Sequence, residues 1–192
     1  MPFNFGDFKK QISDSIEEGK AAKDQDRIAE LVQEFTPKIL KAFQEATEKC
    51  SLSATISLDV SLPEDFVDFL ENVIRCDVVC KARRYSQDYA LVFRHKPTFT
   101  GDSMIIERTK VNGFEEFSTI MSEAYEKWED ALVKKFTEPV LKAIKNGERS
   151  VAFEGEIPYW VKSLFQNTGK VTSVSIEQLP GTDDYVLHIN VK

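Results

Sequence analysis

Residues Leu31-Val32-Gln33-Glu34-Phe35-Thr36-Pro37-Lys38-Ile39-Leu40-Lys41-Ala42 return as Leu132-Val133-Lys134-Lys135-Phe136-Thr137-Glu138-Pro139-Val140-Leu141-Lys142-Ala143, with seven of the twelve positions identical at an offset of 101. Other matches keep the same order. Upstream, Phe5-Gly6-Asp7-Phe8 is echoed by Phe114-Glu115-Glu116-Phe117; downstream, Leu62-Pro63 is echoed by Ile157-Pro158 and Asp88-Tyr89-Ala90-Leu91 by Asp184-Tyr185-Val186-Leu187. Ordered matches of this kind mean two copies of one structural unit. The expected division is 1–96 for the first copy, 97–111 for a connector and 112–192 for the second, in a chain of 192 residues. Each copy is then small for an independent core.

Both copies give the same string of elements. Ile28, Leu31, Val32, Phe35, Ile39, Leu40 and Phe43 fall at three- and four-residue spacing, as do Trp128, Leu132, Val133, Phe136, Val140, Leu141 and Ile144. That spacing predicts a helix with one apolar stripe. Thr36-Pro37 and Thr137 with Pro139 predict a kink or a fresh start in each helix, Thr as cap and Pro in the first turn. Asn146-Gly147 supplies a left-handed stop. Ala54, Ile56, Leu58, Val60 and Leu62 then alternate with Ser53, Thr55, Ser57, Asp59 and Ser61, a strand with one buried face. Val151, Phe153 and Ile157 repeat it, with Gly155 placed for a bulge.

Pro63 and Pro158 each open a short helix, carrying Phe66, Val67, Phe69, Leu70 and Val73 or Trp160, Val161, Leu164 and Phe165. Two strands close each copy: 76–85 and 89–96, then 170–179 and 185–191. Their turns, Ser86-Gln87-Asp88 and Pro180-Gly181-Thr182-Asp183, have hairpin composition. The fold class that follows is α+β: two tandem α-β-α-β-β modules, each a small antiparallel sheet covered by helices. A further short strand is expected at 103–110.

Val140-Leu141-Lys142-Ala143-Ile144-Lys145-Asn146-Gly147, Gly169-Lys170-Val171 and Tyr185-Val186-Leu187-His188-Ile189 carry a resemblance. Over 132–192 the chain resembles small modules of tailed phages and large DNA viruses. The first copy has neither the Asn-Gly nor the Gly-x-Val. The resemblance implies a viral source and a non-catalytic role, and it transfers no site residue.

Chemistry-bearing constellations are sparse. The three cysteines, Cys50, Cys76 and Cys80, form no disulfide framework; Cys76 and Cys80 share one strand face about 13 Å apart, so neither a disulfide nor a joint zinc site follows. The two histidines read as surface residues: His188 faces away from the core side and His95 lies between Arg94 and Lys96. Glu64, Asp65, Asp68, Glu115 and Glu116 sit in first turns of helices, where the helix dipole accounts for them without a metal. With eight glycines there is no Gly-x-Gly-x-x-Gly or Walker pattern. No catalytic residue, cofactor or metal is expected, and no enzyme activity.

Charge points to partners instead. The chain carries 25 basic and 32 acidic residues, a net of −7. Its most uneven segment is the first hairpin, where Lys81, Arg83, Arg84, Arg94 and Lys96 stand against Asp88 alone. With Tyr85 at the tip, these residues form a candidate contact for a phosphate backbone, against the alternative that they protect a sheet edge or offset acidic helices. Glu115, Glu116, Glu123, Glu126, Glu129 and Asp130 read as a solvated helix face, since Lys127, Lys134 and Lys135 break the run that DNA mimicry needs. Met1 to Lys10 has no leader-like apolar segment and no run suits a membrane span. The expectation is a non-enzymatic intracellular or virion protein, acting by contact with itself, a host protein or a virion protein. The alternative is a nucleic-acid-binding accessory protein using the 81–96 hairpin. Phe3, Phe5, Phe8, Met121, Tyr125 and Trp128 are expected to pack between copies, with the alternative that they serve a partner or a second chain.

Overall fold

The computed structural model describes residues 5–83, 88–97, 113–166 and 170–191, the side chains of 5–22 excepted. The elements are α1 (Phe5–Glu48), β1 (Ser53–Leu58), α2 (Glu64–Ile74), β2 (Asp77–Ala82), β3 (Tyr89–Arg94), α3 (Glu115–Lys145), β4 (Ser150–Phe153), α4 (Tyr159–Gln166), β5 (Val171–Gln178) and β6 (Tyr185–Val191). The expected strand at 103–110, Phe3, and the side chains of Phe5 and Phe8 expected to pack between copies lie outside what is described.

Two three-stranded sheets form, ordered β1-β3-β2 and β4-β6-β5, with every neighbouring pair antiparallel. The shared order makes the chain two α-β-α-β-β modules. Leu91 pairs with Ile56 and Cys80 in the first sheet, and its counterpart Leu187 pairs with Val151 and Ile176 in the second. Alternation then aims Ala54, Ile56, Leu58, Val78 and Phe93 at the helices, where all are buried, but β1 ends at Leu58 and Val60, expected on the same face, is 69% exposed. Phe35 and Phe136, equivalent stripe positions, are 4% and 1% exposed.

The helices run through their prolines. Pro37 lies inside α1 and Pro139 inside α3, so neither copy has a fresh start there. The threonines are not caps: Thr36 Oγ1 donates to Val32 O at 2.5 Å and Thr137 Oγ1 to Val133 O at 2.8 Å. Each proline removes one backbone donor, and burial of the flanking stripe, Phe35 and Ile39 or Phe136 and Val140, outweighs that loss. Gly155 makes no bulge either. It lies beyond β4 with φ +75, and the irregularity of the second sheet falls in β5 between Val171 and Ser173.

Both long helices close with the same backbone motif. Glu148 N–H donates to Ala143 O and Gly147 N–H to Ile144 O; Ser51 N–H donates to Ala46 O and Cys50 N–H to Thr47 O. That pattern needs a left-handed residue, supplied by Gly147 at φ +81 and by Cys50 at φ 45. A Cβ costs about 1 kcal/mol in that region. Cys50→Gly is therefore expected to stabilise the first module by up to about 1 kcal/mol and Gly147→Ala to destabilise the second by a similar amount. Urea unfolding of the two variants checks the opposite signs.

The helix α3 serves both modules. Its first half gives Phe117, Met121, Tyr125, Trp128 and Leu132 to the core formed by α1, α2 and the first sheet. Phe136 and Val140, from its second half, join Phe153, Ile157, Val161, Phe165, Leu187 and Ile189 in the second core. The expected packing of Met121, Tyr125 and Trp128 between copies is thus realised, each being fully buried.

Candidate functional site

Strand alternation sorts the basic residues of the first hairpin onto one surface. Ser57 pairs with Ala90 and Ala90 with Lys81, while Ser53 pairs with Arg94 and Arg94 with Asp77. Lys81, Arg83, Arg94 and Lys96 are exposed. Their positions alternate with the buried Val78, Leu91 and Phe93, which places them on the face of the sheet turned away from the helices. Arg84 and Tyr85, the remaining members of that expected contact, lie outside the described residues.

Two of these cations have partners within the module. Arg83 Nη2 donates to Ser57 Oγ at 2.5 Å, and Arg83 N–H donates to Asp88 O, closing the hairpin. Lys96 Nζ is 3.6 Å from Asp77 Oδ1, with both side chains more than half exposed. Exposed pairs of this kind contribute little to stability, so they orient the cations without removing them from solvent. The equivalent face of the second sheet is nearly neutral, with Ser150, Ala152, Ser173, Ser175, Glu177, Val186, His188 and Asn190. His188 Nε2 lies 3.6 Å from Glu177 Oε2 there, half-buried on the face expected for it.

His95 is not the surface residue its charged neighbours suggested. Its side chain is fully buried, and Nε2 is 3.3 Å from Oε1 of Glu129, whose side chain is 10% exposed. Neither ring nitrogen meets hydrogen-bond geometry, so the contact is electrostatic in kind and forms an ion pair when the imidazole is protonated. Glu129, for its part, departs from the solvated face expected of the acidic run on α3. The signal was present in the strand: Leu91, Phe93 and His95 share one face, and that face is buried.

Aromatic rings enclose the pair. His95 lies 5.6 Å from Tyr125 in a stacked arrangement, 5.6 Å from Trp128 and 5.3 Å from Trp160. Beyond it the contacts continue in both directions. Phe93–Phe43 and Phe43–Trp128 are 5.2 and 5.3 Å between centroids, while Trp160–Phe136 and Phe136–Phe153 are 5.8 and 5.5 Å. One aromatic path therefore runs from the first core through His95 and Trp160 into the second. Polar anchors fix it: Tyr125 Oη accepts from Lys96 N–H at 2.8 Å and donates to Lys96 O at 2.7 Å, and Trp128 Nε1 donates to Ser51 O at 2.7 Å. Buried tyrosine and tryptophan satisfied in this way hold a joint rigid.

A groove of about 500 Å³ between α1 and α3 is lined by Leu40, Gln44, Thr47 and Glu48 from α1 and by Ile120, Glu123, Ala124 and Lys127 from α3. Among the described residues no three His, Cys, Asp or Glu side chains converge as a metal site requires, and no helix is long and apolar enough to cross a membrane. Cys76 is buried, while Cys80 is half-buried with Sγ 4.0 Å from Ser61 Oγ. Comparison with family models, with curated proteins and with solved structures finds no match.

Proposed function

We propose that the chain is a non-enzymatic protein that works through protein–protein contacts, as a virion component or host-directed factor in the viral setting its second copy's resemblance implies. The observation that carries this reading is exposed apolar and aromatic surface, which includes Val60 on the first module, 69% exposed, and a larger set on the second. On the second module Leu141 is 52% exposed and Tyr159 80%, whereas Leu40, the counterpart of Leu141, is half-buried against α3. Exposed apolar and aromatic side chains on a rigid frame are where partners gain binding energy. Affinity capture from cells that make the protein tests it, with wild type and Leu141→Asp/Tyr159→Asp as baits. A stoichiometric protein retained by wild type and lost by the variant is the expected result; identical captures by both baits would count against the reading.

A second reading rests on the four cations that share the open face of the first sheet. It makes this face a nucleic-acid contact, dominated by phosphate and so dependent on salt. Lys81→Glu with Arg94→Glu should then abolish a DNA or RNA mobility shift that weakens as salt is raised. A wild-type chain that shifts neither nucleic acid at low salt removes this reading.

A further inference from the structure

The cover that the second module lacks is visible on the first. There it is a helix segment, Phe114 to Leu132, which by the repeat belongs to the copy that follows. This segment runs alongside α1 in the same direction: Gly113 lies beside Gln25, and farther along both helices Ile120, Ala124 and Lys127 line one groove with Leu40, Gln44 and Glu48. It buries Phe43 to 1% exposure, half-buries Leu40 and encloses His95. The corresponding positions of the second module are Ile144, Leu141 and Val191. Ile144 and Val191 are half-buried and Leu141 is 52% exposed.

The repeat also identifies the segment that matches this gap. Phe114, Phe117, Met121 and Tyr125 recur at an offset of 109 as Phe5, Phe8, Ile12 and Ile16, apolar at the same helical spacing. These residues fall in the first half of α1. With Gln25 beside the start of α3, residues 5–24 make up about 30 Å of the same continuous helix on the N-terminal side of that contact. We propose that the chain assembles head to tail, the first half of α1 from one copy lying along the Leu141 side of the second module of the next.

Charge agrees with this occupant. Gln44 and Glu48 of α1 and Glu123 and Lys127 of α3 line the first groove. Their counterparts in the repeat are the basic Lys145 and Arg149 on the second module and the acidic Asp14 and Glu18 in the first half of α1. Glu48 and Lys127 have thus exchanged sign together at Arg149 and Glu18, which preserves attraction across the proposed interface. Joining one surface to a different surface on the next copy is heterologous, so the assembly is an open chain or a ring.

This inference rests on the protein-contact reading above and names the partner as a second copy. Sedimentation velocity over a wide range of concentration, with Phe8→Asp and Leu141→Asp, tests it. Wild type is expected to form species at successive multiples of the chain mass, and each variant alone to be monomeric. An equimolar mixture of the two variants should form a discrete dimer, because each retains one intact half of the interface; that recovery also shows that both variants are folded. Wild type that stays monomeric, association that survives either substitution, or a mixture that stays monomeric overturns the proposal. A monomeric chain that still captures a Leu141-dependent protein from cells overturns self-assembly alone, whereas a monomer that captures nothing overturns the contact reading with it.

Discussion

A fragment ending at residue 111 is expected not to fold cooperatively, although it contains every strand of the first sheet, whereas one ending at residue 134 should melt as a single unit. The difference is the first half of α3. Without it the first core loses Phe117, Met121, Tyr125, Trp128 and Leu132, each 5% exposed or less in the whole chain. Losing one such side chain costs about 2 to 5 kcal/mol, so losing all of them exceeds the roughly 5 to 15 kcal/mol that holds a domain of this kind together. It also strands the backbone N–H and C=O of Lys96, which Tyr125 Oη satisfies, and the Ser51 carbonyl that Trp128 Nε1 satisfies. Circular-dichroism melts of the two fragments decide the matter. A sharp transition for 1–111 would mean that the copies are independent beads and that α3 merely leans on the first. Residues 112–192 alone keep the second core but present Phe117, Met121, Tyr125 and Trp128 to water, so that fragment should associate through them.

What the sequence makes legible is everything set by local periodicity. The stripe through Phe35, Ile39 and Phe43 gave a helix and its buried face, and the alternation through Ala54, Ile56 and Leu58 gave a strand and its core side. Period says which face of an element is apolar and nothing about which sheet that face meets. Trp128 and Leu132 continue the stripe of Phe136 and Val140 on one helix, yet the first pair enters one core and the second pair another. Only contacts across some 80 residues, such as Trp128 to Ser51, assign them. His95 was obscured for a related reason. Arg94 and Lys96 lie on the opposite strand face, so their charge says nothing of its surroundings, while the carboxylate beside it, Glu129, is distant in sequence. The basic surface was legible in composition and alternation, but Ser57 beneath Arg83 and Asp77 beside Lys96 depend on strand register.

Equivalent positions that differ only in cover provide the sharpest energetic test. Phe43 and Ile144 occupy the same place in the repeat, facing the sheet from the second half of α1 and of α3. Phe43 is 1% exposed, in contact with the rings of Phe93, Tyr125 and Trp128, and its truncation to alanine is expected to cost about 3 to 5 kcal/mol. Ile144 is half-buried at the edge of the second core, so Ile144→Ala should cost only about 1 to 2 kcal/mol at dilution, since less apolar area leaves water when it folds. Raising the protein concentration separates cover from intrinsic packing. If the first half of α1 from another copy lies over Leu141 and Ile144, the Ile144→Ala penalty grows with concentration while that of Phe43→Ala stays fixed, because only the second site gains its cover by mass action. Equal penalties at every concentration would mean that the second module is already complete within one chain, and that exposed Leu141 marks no interface with a second copy.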